Sequence, residues 1–548
     1  MSGPMMDRPL TPLHFLDRAA ELFGGREVVA VEGAERRTRT WAQIRRDAGR
    51  AADALVAAGV APGDRVAVLA WNSHAHLDLY FAVPAAGAVL LMVNVRLAPE
   101  QVGRILEHAG AGVVLAEAEF VPLVDAALGP LRSEREGPGD GAPVRMVLDP
   151  RGAGAVPGWT SWPEAVSAAE GARLSRPAWA EPADERAPMG LCYTSGTTGE
   201  PKGVLYSHRA VALHTLAISL PDGFGLSEAD TLLPAVPMFH ANGWGLPYAA
   251  AMTGAGLVLP GPRPDAALLA DLLEAEGVTF AAGVPTVWRG VLDELRARPR
   301  RLAGGLRIHA GGAPTPPAML EAYRREFGVE IVTGWGMTEL TPVGMVTHPR
   351  RHLADAPPER LLDVRTSQGT PLPFVEVRVV DDGGTAVPCD GETPGELEVR
   401  GPWVTAGYYR RTSDDSFRDG WLRTGDVATV DPDRYVRLVD RTKDLIRSGG
   451  EWISSVRLEH LLAGHPGVAE AVVVAVPDER WGERPWATVV PRGGPGSLSE
   501  SEVLGVLEGH VPRWWVPDRV IFADAIPLTA TGKYDKKALR ARYRPPEA

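Results

Sequence analysis

Apolar residues near the start of the chain recur at helical spacing. Thr11-Pro12 reads as a cap followed by a proline at the first helical position, and Leu13, Leu16, Ala20 and Phe23 form a stripe that Gly24-Gly25 ends. Residues 66–70 form a short apolar run with the look of a buried strand. Helices are expected over 75–87 and 98–109, and a further strand over 113–115. This alternation predicts a largely parallel sheet with helices on both faces. Residues 133–143, rich in Gly, Glu and Pro, read as a surface loop. Strands are expected again at 278–282 and 306–309. Residues 375–380 and 396–400 alternate in period two, as half-exposed antiparallel strands do. Near the end, Ser454 or Ser455 caps a helix carrying Val456, Leu458, Leu461 and Leu462, and the strand 471–476 follows.

A chain of 548 residues is too long for one core, so at least two domains are expected. Its 45% apolar and 23% charged content is that of a soluble globular protein. A net charge of −12 disfavours a general nucleic-acid binder. No apolar run reaches the roughly 18 residues of a membrane span, and the start shows no export segment. With only two cysteines, Cys192 and Cys389, a disulfide framework is excluded. These features point to a reduced, cytoplasmic protein.

The chemistry concentrates in six segments. Tyr193-Thr-Ser-Gly-Thr-Thr-Gly-Glu-Pro-Lys-Gly-Val204 gathers glycines, hydroxyls and Lys202, a set suited to wrapping anionic oxygens. It lacks the Gly-Lys-Ser/Thr ending of the common P-loop. His309-Ala-Gly-Gly-Ala-Pro314 offers open backbone against which a flat ring can lie. Gly334-Trp-Gly-Met-Thr-Glu339 joins an aromatic, a hydroxyl and a hard carboxylate suited to Mg2+. Asp426 follows a glycine, as ribose-binding carboxylates do. Asp440-Arg-Thr-Lys-Asp444 is a charge cluster, and Lys533 follows a flexible Thr-Gly near the C-terminus. Taken singly, each segment also reads as an ordinary turn, core residue or solvated face.

In their order and spacing these motifs resemble the adenylate-forming superfamily of acyl-CoA synthetases, luciferase-like enzymes and peptide-synthetase adenylation domains. Segments 237–244, 260–263, 283–288 and 448–455 are most similar to bacterial medium- and long-chain fatty acyl-CoA synthetases. The resemblance implies an α/β fold. Residues 1–442 would form a large N-terminal domain of two layered α/β subdomains plus a small β-barrel-like one. Residues 443–548 would form a mobile α+β lid turning at Lys443.

It also implies a two-step reaction with ATP, Mg2+ and coenzyme A, and a homodimer as the assembly. Thr194, Ser195, Gly196, Thr197, Thr198, Gly199 and Lys202 would hold the β- and γ-phosphates, Thr338 the α-phosphate and Glu339 the metal. Gly312, Ala313, Pro314 and Trp335 would enclose adenine, and Asp426 and Arg441 the ribose. Lys533 would bridge carboxylate and α-phosphate. His240, Trp244 and Gly311 would line the acid site, and Gly449, Gly450, Glu451 and Trp452 would meet coenzyme A. Two positions depart from the pattern: Trp335 stands where tyrosine is more usual, and Arg447 where lysine is. An aromatic acid or another small oxyacid, a carrier-protein thiol or amine acceptor, and a non-catalytic nucleotide sensor are the competing readings.

Overall fold

The computed structural model describes residues 5–33, 35–133, 143–148, 156–194, 201–412, 414–529 and 532–543. The first helix, Leu13–Leu22, begins one residue later than expected, with Pro12 at its N-cap. Proline has no hydroxyl to cap with, and Thr11 Oγ1 supplies the bond instead, accepting from the Leu13 amide at 3.3 Å. The expected loop 133–143 lies mostly outside the described residues; Ser133 closes the helix Val121–Ser133.

As the resemblance implies, the chain builds two large, mostly parallel sheets among the described residues. In the seven-stranded sheet, Arg65–Leu69 lies between Ala111–Ala116 and Val89–Met92, all parallel. Its far edge turns antiparallel where Pro188–Thr194 pairs with Lys202–Ser207. In the nine-stranded sheet, Thr231–Pro234, Phe280–Gly283, Arg307–Ala310 and Glu330–Gly336 run parallel side by side. Both sheets share one hydrophobic core, with Trp41, Tyr80, Phe81 and Tyr248 among its fully buried side chains.

The period-two segments form a smaller antiparallel sheet, in which Glu376–Val380 pairs with Gly395–Arg400 and the latter with Trp421–Val430. From Ile446 onward a last sheet pairs Val468–Asp478 with Gly482–Pro491. Its core is built from Ile446, Ile453, Leu458, Leu462, Val473 and Val489 and, among the described residues, contains none from before Ile446. The side chain of Ser454 caps the helix Ser455–Ala463, accepting from the Arg457 amide at 3.2 Å.

Candidate active site

Three neighbouring parallel strands end on the same edge of the nine-stranded sheet. Phe280–Gly283 runs into Val284, Arg307–Ala310 into Gly311–Pro314, and Glu330–Gly336 into Met337-Thr338-Glu339. The carboxyl edge of such a sheet is where α/β proteins place ligands. Space there is tight. A Cβ on Gly311 would come within 3.1 Å of His309 Nε2 and 3.3 Å of the Trp244 ring. Gly312 sits at φ +81°, and a Cβ on it would lie 3.1 Å from Lys533 Cε. Lys533 therefore reaches the Gly311–Pro314 turn from far along the chain.

Two buried carboxylates share the field of Arg441. Asp426 is buried, accepts from the Trp335 indole at 2.7 Å and lies 3.1 Å from Arg441 Nε. Glu339, also buried, accepts from the Tyr408 hydroxyl at 2.8 Å. Burial pushes the Glu339 carboxyl up, and the Tyr408 bond opposes that. Burial lowers the Lys533 ammonium to about 8, with Arg441 and Lys443 adding to the effect and Asp426 opposing it. His240 is held near 4, chiefly by burial and then by the charges of Lys533 and Arg96. Its imidazole is therefore neutral at pH 7 and adds no charge.

The two ends of the glycine- and threonine-rich segment pair antiparallel, Thr194 opposite Lys202. Ser195, Gly196, Thr197, Thr198 and Gly199 lie outside the described residues. Lys202 Nζ donates to Asp414 Oδ2 at 2.8 Å and sits 4.5 Å from the Tyr408 ring centre. Tyr206 ties the hairpin to the neighbouring turn by donating to the Thr338 carbonyl at 2.7 Å. His240 leads into a left-handed turn in which Ala241, Asn242 and Trp244 all have positive φ, between 45° and 57°. Non-glycine residues there are strained, and such turns cluster at functional sites. Trp244 is buried and packs edge-on to His309 at 5.5 Å.

Gly449 and Gly450 turn the chain between Ile446–Ser448 and Glu451–Ile453 at φ +62° and +90°. Glu451 and Trp452 are exposed beside them, with Arg447 4.1 Å over the Trp452 ring. Lys443 lies just before this sheet, and burial lowers its ammonium. The structure thus gathers Lys533, Gly312, His240, Asp426, Arg441 and Lys443 in one electrostatic neighbourhood, and sets the Gly449–Trp452 turn on exposed surface. Sequence reasoning missed Tyr408, Asp414 and Tyr206. The signal for Asp414 was the acidic pair Asp414-Asp415, which no spacing rule ties to Lys202.

Three cations and two carboxylates around small-residue turns form a cleft suited to a nucleotide. The comparisons with known proteins agree. The family described as AMP-binding enzyme matches residues 16–409, and the AMP-binding enzyme C-terminal domain matches 457–533. The chain belongs to the AMP-binding enzyme family. Its activity is that of an AMP-forming acid–thiol ligase, working through an acyl-adenylate.

The long-chain-fatty-acid–CoA ligase of Thermus thermophilus is 45% identical, over 98% of this chain and 97% of that protein. The medium-chain-fatty-acid–CoA ligase of Ectopseudomonas oleovorans is 41% identical, over 99% and 98%. Among solved structures, the anthranilate CoA ligase AuaEII in complex with anthranoyl-AMP aligns with a TM-score of 0.84 at 25% identity, covering 98% of each chain.

Proposed function

We propose that this chain activates a medium- or long-chain aliphatic acid and transfers it to coenzyme A. In the first step a carboxylate oxygen attacks the α-phosphorus of ATP, the bond to the β-phosphate oxygen breaks, and pyrophosphate leaves. In the second the thiol sulfur of coenzyme A attacks the acyl carbon, the acyl–phosphate bond breaks, AMP leaves, and the thiol proton passes to solvent. Two fatty-acid ligases matching over nearly the whole length support the choice of acid.

The first step brings two anions together, so fixed positive charge is what it needs. Lys533 supplies that charge beside Gly312, and its approach from the far end of the chain is the observation that carries the reading. Thr194, Lys202 and the 195–199 segment would receive the β- and γ-phosphates, with Asp414 giving up Lys202 as they arrive. Thr338 would meet the α-phosphate. Gly312, Ala313, Pro314 and Trp335 would hold adenine, and Asp426 with Arg441 the ribose. Gly311, neutral His240 and Trp244 would line the acid site.

Glu339 is a single buried carboxylate, which fits Mg2+, an ion that keeps its waters and takes other oxygens from phosphate. When bound it would neutralise phosphate charge. For the second step, residues 443–548 would turn about Lys443 against 1–442 and bring Gly449, Gly450, Glu451 and Trp452 to coenzyme A. Homodimer assembly and a cytoplasmic location complete the proposal. No helix among the described residues is long and apolar enough to cross a membrane.

The test is pyrophosphate release across aliphatic and aryl acids, with and without coenzyme A. Release with octanoate or palmitate, followed by thioester formation, is the expected result. Release with aryl acids alone would overturn the choice of acid.

A further inference from the structure

One helix meets the C-terminal segment along a single stripe. Pro285–Ala297 buries Trp288, Val291, Leu292 and Leu295. Thr286, Arg289 and Asp293 are spaced three and four residues apart, so they stack along one face. Each faces a residue from the far end of the chain. Thr286 Oγ1 donates to the carbonyl of Gly532 at 3.0 Å, across 246 residues of sequence. Arg289 and Glu470 line one cleft together with Gly532, Lys533 and Tyr534. Arg492 Nη1 donates to Asp293 Oδ1 at 3.1 Å.

The Thr286 contact acts next to the reacting lysine. Lys533 is tied back to Thr529, whose amide donates to the Lys533 carbonyl at 2.7 Å and whose Oγ1 accepts from the Lys533 amide at 3.2 Å. Holding the Gly532 carbonyl therefore fixes where the Lys533 side chain leaves the loop and enters the Gly312 turn.

We infer that Thr286, Arg289 and Asp293 are positioning residues that seat the C-terminal segment for adenylation only. This rests on the roles proposed above for Lys533 and for rotation at Lys443. Contacts made in one pose and lost in another shift the balance toward the first. Removing them should slow the step that needs this pose and spare the step that needs the rotated one.

The test separates the two half-reactions in the full chain. Octanoate-dependent exchange of pyrophosphate into ATP reads adenylation, and coenzyme A-dependent consumption of synthetic octanoyl-AMP reads thioester formation. Thr286→Val should slow exchange about 3- to 10-fold, the worth of one hydrogen bond, and leave octanoyl-AMP consumption at the wild-type rate. Thr286→Ser should restore exchange. Asp293→Arg and Arg492→Asp should each slow exchange by a smaller factor, and the double variant should recover it. Equal loss in both half-reactions, unchanged exchange in Thr286→Val, or a double variant no better than the singles would each overturn the inference. A wild-type chain inert in both half-reactions with octanoate and with palmitate would instead overturn the proposed function, and this inference with it.

Discussion

The indole N–H of Trp335 donates to Asp426 Oδ2 at 2.7 Å, and both side chains are buried. The tryptophan thus orients a carboxylate as well as offering a ring face. A phenylalanine at this position would keep the face and leave the buried oxygen without its donor. An unpaired buried acceptor costs on the order of 1–3 kcal/mol. Trp335→Phe should therefore raise the KM for ATP by about 10-fold while adenine stacking persists. Initial rates against ATP concentration check this; an unchanged KM would mean that Asp426 needs no help from the indole.

Lys533 should matter to one half-reaction and not the other. Lys533→Ala is expected to slow acid-dependent pyrophosphate release by ~10²–10³-fold and to leave thioester formation from supplied acyl-AMP intact. The wild-type ammonium, lowered to about 8, loses its charge as pH rises through that value. The kcat/KM for ATP, which reports the free enzyme, should accordingly fall above about pH 8. In Lys533→Arg that alkaline limb should disappear, because guanidinium keeps its charge.

Tyr408 touches both the carboxylate and the cation of the site, donating to Glu339 and lying under Lys202. Without the hydroxyl, Glu339 loses the bond that offsets its burial. Tyr408→Phe should raise the half-saturating Mg2+ concentration for pyrophosphate release by roughly 3- to 10-fold, the effect of one lost hydrogen bond. Titration of Mg2+ at saturating ATP and acid measures it. A Mg2+ response identical to wild type would remove Tyr408 from this role.

Asp78, on the helix His74–Ala85, makes stability depend on pH. Burial, assisted by Asp47 and Glu32 and opposed by Arg39, raises its carboxyl from 3.8 to about 7. The folded state thus holds this proton more tightly than the unfolded one. Its contribution is fully present below the unfolded value and is lost as pH rises through the folded one, across about pH 4 to 7. Asp78→Asn should flatten the fall in thermal midpoint over that window and gain most relative to wild type above pH 7. Melting curves at pH 5, 6 and 8 would show it, and parallel curves for both proteins would refute it.

Sequence alone determined the elements and the inventory of chemistry. Strands and helices are written in local periodicity, and the turns after residues 310 and 336 follow from small residues placed at strand ends. Lys533, Asp426, Glu339 and the 193–204 segment were recognisable because motif order is carried along the chain. What periodicity does not encode is which elements become neighbours. The alternating β and α segments were equally consistent with one sheet, and packing divided them into two. The partnerships inside the cleft were equally hidden. Lys202 and Asp414 stand 212 residues apart, Trp335 and Asp426 91, and Glu339 and Tyr408 69. Such pairs form because burial leaves each polar group only the partners that the core brings within about 3 Å, and that choice is made in three dimensions.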